Sequence, residues 1–379
     1  MTATPRIRAG TSWLRCDARG GPDARGRPDD APSGPGLLLV PPGGGPAAVL
    51  SARDRAAGVA VAAQTLAGAG IGSGDRVVAA LNDDGEPTGG LLAEAAVAAG
   101  AAAASVGPRG RMRLLRTLEA VGATALAITP TGAMDLLARL HLEFLADPLD
   151  LGLRRLLLVG EITGEATRRH LAAEFGAEVT DLFTDPLLHV AIAHRGPGEP
   201  GFTPAAPGLL GLAPLAEDTL LAAPYPAGAA EIVTAPAWHT GLAGATVRTG
   251  LVAVAPDGAP AVPPPAHTVG DEVLVRGRRV ALPGLERALA GIDGIAHWDL
   301  WLRREGTLDT ATLRVTFTRG SLVADPMWRS RIEQSLTDLS PVRIGVQIEE
   351  HPDTERRPAT VTDTRGHHLG RDRTTACPP

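Results

Sequence analysis

An α/β fold in two parts follows from three features of this sequence: a large domain of parallel sheets with helices plus a small antiparallel β subdomain, then a small α+β domain. Between Gly72 and Phe183, short apolar runs alternate with helical stretches, the order that produces parallel strands joined by crossover helices. From Pro197 the texture changes to Pro- and Gly-rich segments carrying short strands. After Gly270 the order becomes strand, helix, two strands, helix and strand, a compact α+β unit. A length of 379 residues requires such a division, because single cores stop growing near about 250–300 residues. The division reads as a flexible arm over 1–36, a large domain over 37–269, a small mobile domain over 270–365 and a tail over 366–379.

The arm holds RGGPDARGRPDDAPSGPG, which has almost nothing to bury. Leu37 to Val40 is a short strand ending in PPGGGP, which reads first as a plain turn, since it has no Ser, Thr or Lys for phosphate oxygens, and second as a loop whose glycines Gly43, Gly44 and Gly45 offer backbone N–H groups to an anion. Ser51 caps a helix carrying Val59, Val61 and Leu66 up to Gly68. GSGDRVVAAL (Gly72 to Leu81) is a turn and buried strand, Gly89 to Ala99 a helix, and Ala101 to Val106 a strand. Helices over Leu114 to Val121 and Ala133 to Phe144 flank a strand at Ala125 to Ile128. Arg155 to Val159 is a strand, a Thr163-capped helix runs to Phe175, and Glu178 to Phe183 is the next strand.

Short strands are expected at Thr219 to Ala222 and Glu231 to Ala235. GDEVLVRGRRVALPGLERAL (Gly270 to Leu289) gives a strand at Val273 to Val275, a basic turn over Arg276 to Arg279, and a helix opened by Pro283. Strands at Trp298 to Arg304, Thr312 to Thr318 and Arg343 to Glu349 surround a helix from Pro326 to Leu339. The residues after Asp353 read as a polar, mobile tail.

Composition narrows the function. All 36 basic residues are arginines, so no mechanism can use a lysine of this chain, and the Ala/Gly/Pro/Arg bias suggests a bacterium with a high-GC genome. A net charge of −6, without any nucleic-acid-binding motif, argues against a nucleic-acid partner. No apolar run nears the roughly 20 residues needed to span a bilayer, and Met1 to Ala9 lacks a signal core, so no membrane partner and a cytoplasmic location are expected. Cys16 and Cys377 build neither a disulfide framework nor a metal site. No metal is assigned to His189 and His194, which are five residues apart and poorly spaced for joint ligation.

Taken together, the segments from about 37 to 365 resemble the phenylacetate-CoA ligase branch of the adenylate-forming acyl-CoA synthetase superfamily. LAGAGIGSGDRV (Leu66 to Val77) is similar to the family's segment before its substrate-site helix, and PTGGLLAEAAVAAGAAAASVGP (Pro87 to Pro108) to the helix and strand beyond it. ITPTGAMDLLARL (Ile128 to Leu140) is similar to its Thr-Pro-Ser segment, and LLLVGEITGEATRRHL (Leu156 to Leu171) to its Gly-Ala-Glu segment. VRTG (Val247 to Gly250) resembles the nucleotide-ribose motif, and Gly270 to Leu289 the hinge and first helix of the mobile C-terminal domain. The resemblance implies a fold of adenylate-forming type and a chemistry in which ATP activates a carboxylic acid as an acyl-adenylate. After the small domain rotates, coenzyme A attacks that intermediate. It also implies a nucleotide- or CoA-binding remnant at Gly43, Gly44, Gly45, Glu161, Asp181, Phe183, Arg248, Thr249 and Arg276, with Asp271 at the hinge.

Four positions depart from the family's pattern. The phosphate loop becomes PPGGGPAAVLS, with no hydroxyl before Ser51. In DLFTDPL, Leu187 stands where a magnesium-holding glutamate is expected, with Asp185 two residues away. Leu251 replaces the ribose-binding aspartate, and ERRPAT (Glu355 to Thr360) replaces the lysine segment. Losing the magnesium carboxylate or the lysine would each remove several kcal/mol of transition-state stabilisation, so ATP and magnesium are not expected as cofactors. The reading that follows is transfer of an acyl or aryl group held as a CoA or phosphopantetheine thioester, with an acyl carrier protein as a possible partner. Of His189, His194, His239 and His267, the pair His239 and His267 lie in segments that border the family's cleft and are the candidate catalytic bases. Two alternatives stay open: a non-catalytic pseudoenzyme that binds or assembles with a biosynthetic partner, and an atypical ligase rebuilt around arginines. A homodimer is compatible with each.

Overall fold

The computed structural model of the chain describes residues 12–15, 35–40, 47–81, 87–107, 110–318, 326–340, 342–349 and 360–376. Within the expected arm, Ser12–Arg15 forms a strand, β1, that pairs parallel with residues 245–248, and Trp13 lies 5.3 Å from the Arg248 guanidinium. β2 (Leu37–Leu39) and β3 (Ala48–Leu50) pair antiparallel; the Gly43–Gly45 turn between them falls outside the described residues. Helix α1 (Ala52–Gly68) follows, with the Ser51 hydroxyl accepting from Asp54 N at 3.1 Å.

The main sheet takes its shape from regular alternation. β4 (Arg76–Ala80), α2 (Thr88–Ala98), β5 (Ala102–Ser105), α3 (Arg111–Val121), β6 (Ala125–Ile128), α4 (Pro130–Arg139), β7 (Arg155–Val159), α5 (Glu165–Phe175) and β8 (Glu178–Thr184) succeed one another. β9 (Ala191–Arg195) and β10 (Thr203–Pro204) then fold back antiparallel, giving the order β10-β9-β8-β7-β6-β4-β5. Strand residues of period two divide between the faces. Val77, Ala79, Ala125, Ala127 and Leu157 join the core under α1 and α2, while Val78, Ala80, Leu126, Ile128, Leu156 and Leu158 join the core under α3, α4 and α5. Both faces are covered, so the strands read as continuous apolar runs. Truncating Leu126 or Leu156 to alanine should cost about 2–5 kcal/mol.

Two boundaries differ from the expected ones for local reasons. α4 begins at Pro130 because Thr129 is the cap, its hydroxyl accepting from Gly132 N at 3.1 Å, and it continues into one π-helical turn over Leu140–Phe144. α5 is preceded by Gly164 in the capping position, which leaves Thr163 outside the helix.

The antiparallel subdomain holds β11 (Leu210–Ala213), β12 (Gly228–Thr234), β13 (Ala245–Ala255) and β14 (Pro265–Thr268), in the order β1-β13-β12-β11 with β14 on β13. The strand expected at 219–222 is irregular instead. The carbonyls of Pro214 and Glu217 accept from Arg248 Nη2, which curls this segment over the buried guanidinium.

A third core runs from Val273 to Val346. It packs the hairpin of β15 (Glu272–Val275) and β16 (Arg278–Ala281), the helices α6 (Leu282–Ala290) and α7 (Pro326–Leu339), and a sheet of β17 (Ile295–Glu305), β18 (Leu308–Phe317), β19 (Ile344–Glu349) and β20 (Thr360–Asp363), ordered β19-β18-β17-β20. The basic turn shrinks to Arg276-Gly277, since Arg278 already pairs with Val275. The tail is held rather than loose over 360–376. β20 pairs parallel with β17, and residues 367–373 return to the joint between the antiparallel subdomain and the terminal unit, around Thr268 to Asp271, where Leu369 N donates to Thr268 O at 2.9 Å and Arg373 Nε to Glu231 Oε2 at 3.0 Å. Among the described residues, no helix is long and apolar enough to cross a membrane.

Candidate active site

Ligand crevices in sheets of this kind open outside the carboxyl ends of the parallel strands. Here Leu81 after β4, Thr129 after β6, Val159 to Glu161 at the end of β7 and Leu182 to Thr184 in β8 line one cleft of about 1010 Å³, its open mouth included. Phe202, Leu251, Pro264 and Pro265 close it from the antiparallel side, and Leu274, Gly277 and Arg279 of the β15–β16 hairpin close it from the terminal unit. Phe183 and Phe202 meet edge to face with centroids 5.5 Å apart. The walls are apolar for the most part, and a few polar groups converge between them.

Glu161 is one of these groups. Its Oε2 accepts from Thr131 N at 2.8 Å and its Oε1 from the Thr131 hydroxyl at 2.6 Å, at the first turn of α4. A helix start favours a carboxylate, yet the surrounding protein outweighs it. Desolvation by burial pushes the Glu161 carboxyl up to about 7, against the two Thr131 hydrogen bonds and with the Asp309 charge adding to the rise. The hairpin approaches closely on this side. Gly277 has φ +71, and a Cβ on it would lie 2.8 Å from Thr129 Cγ2 and 3.6 Å from Glu161 Oε1, so only glycine fits.

His189 stands on another part of the wall, at φ 59. The turn that carries it is fixed by Asp185, whose Oδ1 accepts from Leu187 N and Leu188 N at 2.9 Å each and whose Oδ2 accepts from the Thr234 hydroxyl at 2.6 Å. His189 N donates to Asp185 O at 2.8 Å, and the ring Nδ1 lies 3.2 Å from the Thr88 hydroxyl. Desolvation lowers the imidazole to about 4; the Asp185 charge opposes this, and Arg279 and Arg278 reinforce it. The ring is neutral over the whole physiological range.

The structure brings some of the sequence-derived site residues together and disperses others. Glu161, Asp181 and Phe183 line the cleft, and Leu251 lines it where a ribose-binding aspartate is expected. Asp181 Oδ2 is held by Arg195 Nη2 at 2.5 Å, with Arg168 Nε at 3.4 Å. Arg248 and Thr249 are outside the cleft lining. Arg248 is fully buried on Glu231 and Asp218 at 2.7 and 2.8 Å, and the Thr249 hydroxyl donates to Ile232 O at 2.6 Å. Arg276 donates to Asp309 O at 2.6 Å, and Asp271 accepts from Arg371 Nε at 2.7 Å. His239 and His267 stand apart from the lining: the first meets Val49 O through Nε2 at 2.9 Å, the second Gly366 O through Nδ1 at 2.9 Å. Both oxygens of Asp185 are already engaged and Leu187 is buried in the core, so neither offers a magnesium ligand. Among the described residues, no group of three or more His, Cys, Asp or Glu side chains is positioned to hold a metal. The Arg356–Arg357 segment lies outside the described residues.

The residues that sequence reasoning passes over are Thr88 and the preference for His189. The available signal is weak: Thr88 is one helix-start hydroxyl among several, and His189 is one of four candidate histidines without a distinguishing neighbour in sequence.

No protein-family model matches the sequence, and no curated protein matches it. Solved structures share its fold. A 2-hydroxyisobutyryl-CoA ligase in complex with 2-HIB-AMP and CoA, in the thioesterification state, superposes with a TM-score of 0.71 at 16% identity over 84% of this chain and 72% of the ligase. The same ligase in the postadenylation state with 2-HIB-AMP superposes at 0.51 and 17% identity over the same shares. The amide bond synthetase McbA from Marinactinospora thermotolerans gives 0.62 at 18% identity, over 83% of this chain and 65% of the synthetase. The fold is thus that of adenylate-forming enzymes, with a large N-terminal and a small C-terminal part.

Proposed function

We propose that this chain binds an acyl or aryl group already carried as a CoA or pantetheine thioester and transfers it to a second thiol, without forming an acyl-adenylate. The observation that carries the reading is the docking of the β15–β16 hairpin on the cleft, with Gly277 against Thr129 and Glu161. The chain superposes better on a ligase in its thioesterification state than on the same ligase after adenylation, 0.71 against 0.51, which supports the same arrangement here. A leucine, Leu251, on the wall where two ribose hydroxyls would need a carboxylate, and the absence of lysine from the chain, argue against adenylation. The division into a large domain over 37–269 and a hinged domain over 270–365 belongs to this reading.

The chemistry requires no nucleotide. A thioester carbonyl is already activated, so transfer requires positioning, a proton acceptor for the incoming thiol and a donor for the oxyanion. In this reading Glu161 accepts the thiol proton. A carboxyl near pH 7 balances availability of the ionised form against driving force, and its rate dependence should rise through about pH 7 as the group ionises.

Calorimetric titration with ATP–Mg²⁺, AMP, CoA, benzoyl-CoA and a phosphopantetheinylated carrier protein tests this directly. Binding of benzoyl-CoA or CoA without ATP is the expected result, followed by benzoyl-pantetheine formation when pantetheine is added. ATP–Mg²⁺ binding with pyrophosphate release from a carboxylic acid would overturn it in favour of a rebuilt ligase. No binding of any of these ligands would instead leave the non-catalytic partner role.

A further inference from the structure

His189 is a partly buried titratable group lining the cleft that neither the family pattern nor the proton transfer to Glu161 uses. Its backbone is in the left-handed region, which non-glycine residues adopt at a cost and which recurs at functional sites. The backbone N–H groups of Leu187, Leu188 and His189 and the Thr234 hydroxyl all donate to Asp185 and hold that turn. The turn thus fixes a single ring on the wall. Thr88, the first residue of α2, lines the same cleft and meets the ring at Nδ1.

Two tautomers fit the Thr88 contact, and the surroundings choose between their uses. If Nδ1 carried the proton, Nε2 would be a base, and its protonated form would be a cation in a desolvated wall facing Arg278 and Arg279, with Asp185 the one opposing charge among the groups that shift it. If the Thr88 hydroxyl donates to Nδ1, the proton sits on Nε2, and the ring presents a neutral N–H that stays uncharged during the reaction. A neutral imidazole is a good donor to a developing oxyanion because no solvent has to reorganise around it.

We propose that His189 is a catalytic residue of the thioester site, donating from Nε2–H to the carbonyl oxygen of the bound thioester, with Thr88 as the positioning residue that sets its tautomer. This rests on the thioester reading of the cleft. The incoming thiol gives its proton to the Glu161 carboxylate as its sulfur bonds the carbonyl carbon, and the carbonyl π electrons move to the oxygen facing His189. Collapse of the tetrahedral intermediate breaks the bond to the CoA sulfur, which takes the proton back from Glu161. One thiol and one thioester give one thioester and one thiol.

The test uses the full chain with benzoyl-CoA as donor and pantetheine as acceptor. His189→Asn keeps a residue that tolerates the left-handed backbone and should lower kcat by about 10²-fold or more with little change in KM, the usual effect of removing an oxyanion donor. Thr88→Val should lower kcat less. It should also release the tautomer, seen by ¹⁵N NMR of the His189 ring as loss of the Nε2–H form that the wild type holds from pH 5 to 8. Transfer by His189→Asn at the wild-type rate overturns the assignment while leaving the thioester reading intact. A wild-type ring in the Nδ1–H form, or one titrating near pH 6.5, overturns it independently of activity. Absence of any transfer by the wild type overturns the thioester reading and this assignment with it.

Discussion

The cleft and the joint behind it are both rich in ionisable groups, and they use them in opposite ways. At the joint, arginines sit beside acids. Arg365 bridges Asp309 at 2.5 Å and Asp363 at 2.8 Å, Arg371 reaches Asp271 and Glu286, and Arg248 and Arg373 share Glu231. In the cleft, Glu161 and His189 are desolvated with weak compensation, and their proton affinities move far from the ordinary values in opposite directions. Matched charges hold a geometry, whereas mismatched ones hold a protonation state in reserve. The same residue types therefore serve as fasteners at one place and as reagents at another.

The largest expected effect comes from unbalancing the joint. Arg365, Asp309 and Asp363 have side chains no more than 5% exposed, and Arg365 also donates to Leu274 O at 2.9 Å. Arg365→Ala removes the cation that Asp363 and Asp309 share and leaves Asp309 its half-exposed partner Arg304 at 2.8 Å, a loss of about 3–5 kcal/mol for a buried pair broken on one side. Thermal denaturation should show the terminal unit melting early while the unit built on β4 to β8 keeps its transition. A single unchanged transition would mean that the joint is not the fastener described.

A smaller effect is expected at the contact between the two regions. Gly277→Ala must tolerate φ +71 and a Cβ 2.8 Å from Thr129 Cγ2, so the hairpin has to withdraw from the cleft. The strain is about 1–3 kcal/mol, and small-angle scattering with limited proteolysis should detect opening of the joint. Thr129→Ala/Gly277→Ala should restore part of the contact, because the obstructing methyl is gone. Equal opening in the single and double variants would place the cause in the backbone strain alone.

Much of the scaffold is legible in the sequence because periodicity reports burial. The runs at Val77–Ala80, Ala125–Ile128 and Arg155–Val159 are strands as read, and the helices between them follow from spacing and caps such as Ser51. Ser12–Arg15 is hidden because four residues beside a Gly/Pro-rich stretch carry no period, and only pairing with residues 245–248 makes them a strand. The strand expected at Thr219–Ala222 fails because the segment leading into it follows the Arg248 side chain, through contacts 34 and 31 residues apart in sequence that no local pattern encodes. The tail misleads for a related reason: Arg365, Arg371 and Arg373 read as solvated charges until their acids, distant in sequence, close around them. Glu161, Asp181 and Phe183, which the family resemblance singles out, do line the cleft. His189 is separable from His239 and His267 only through tertiary placement, because it lines the cleft and the other two do not.

The smallest effect is the sharpest test of the two protonation states, because their contributions to stability run in opposite directions with pH. Glu161 has a folded value near 7, above its unfolded value of about 4.3, so its contribution is fully present below the unfolded value and is lost as pH rises through about 7. His189 has a folded value near 4, below its unfolded value of about 6.5, so its contribution is present above about 6.5 and is lost as pH falls toward 4. Between about pH 4.5 and 6.5 the two largely offset, and above that window Glu161 acts alone. Melting temperature against pH should therefore fall for the wild type between pH 6.5 and 7.5 and stay flatter for Glu161→Gln, which carries no charge to desolvate. His189→Asn should steepen the decline from pH 4.5 upward, because the opposing titration is gone. Parallel curves for the wild type and both variants would show that the cleft pair is as balanced as the joint, and the contrast between the two regions would not hold.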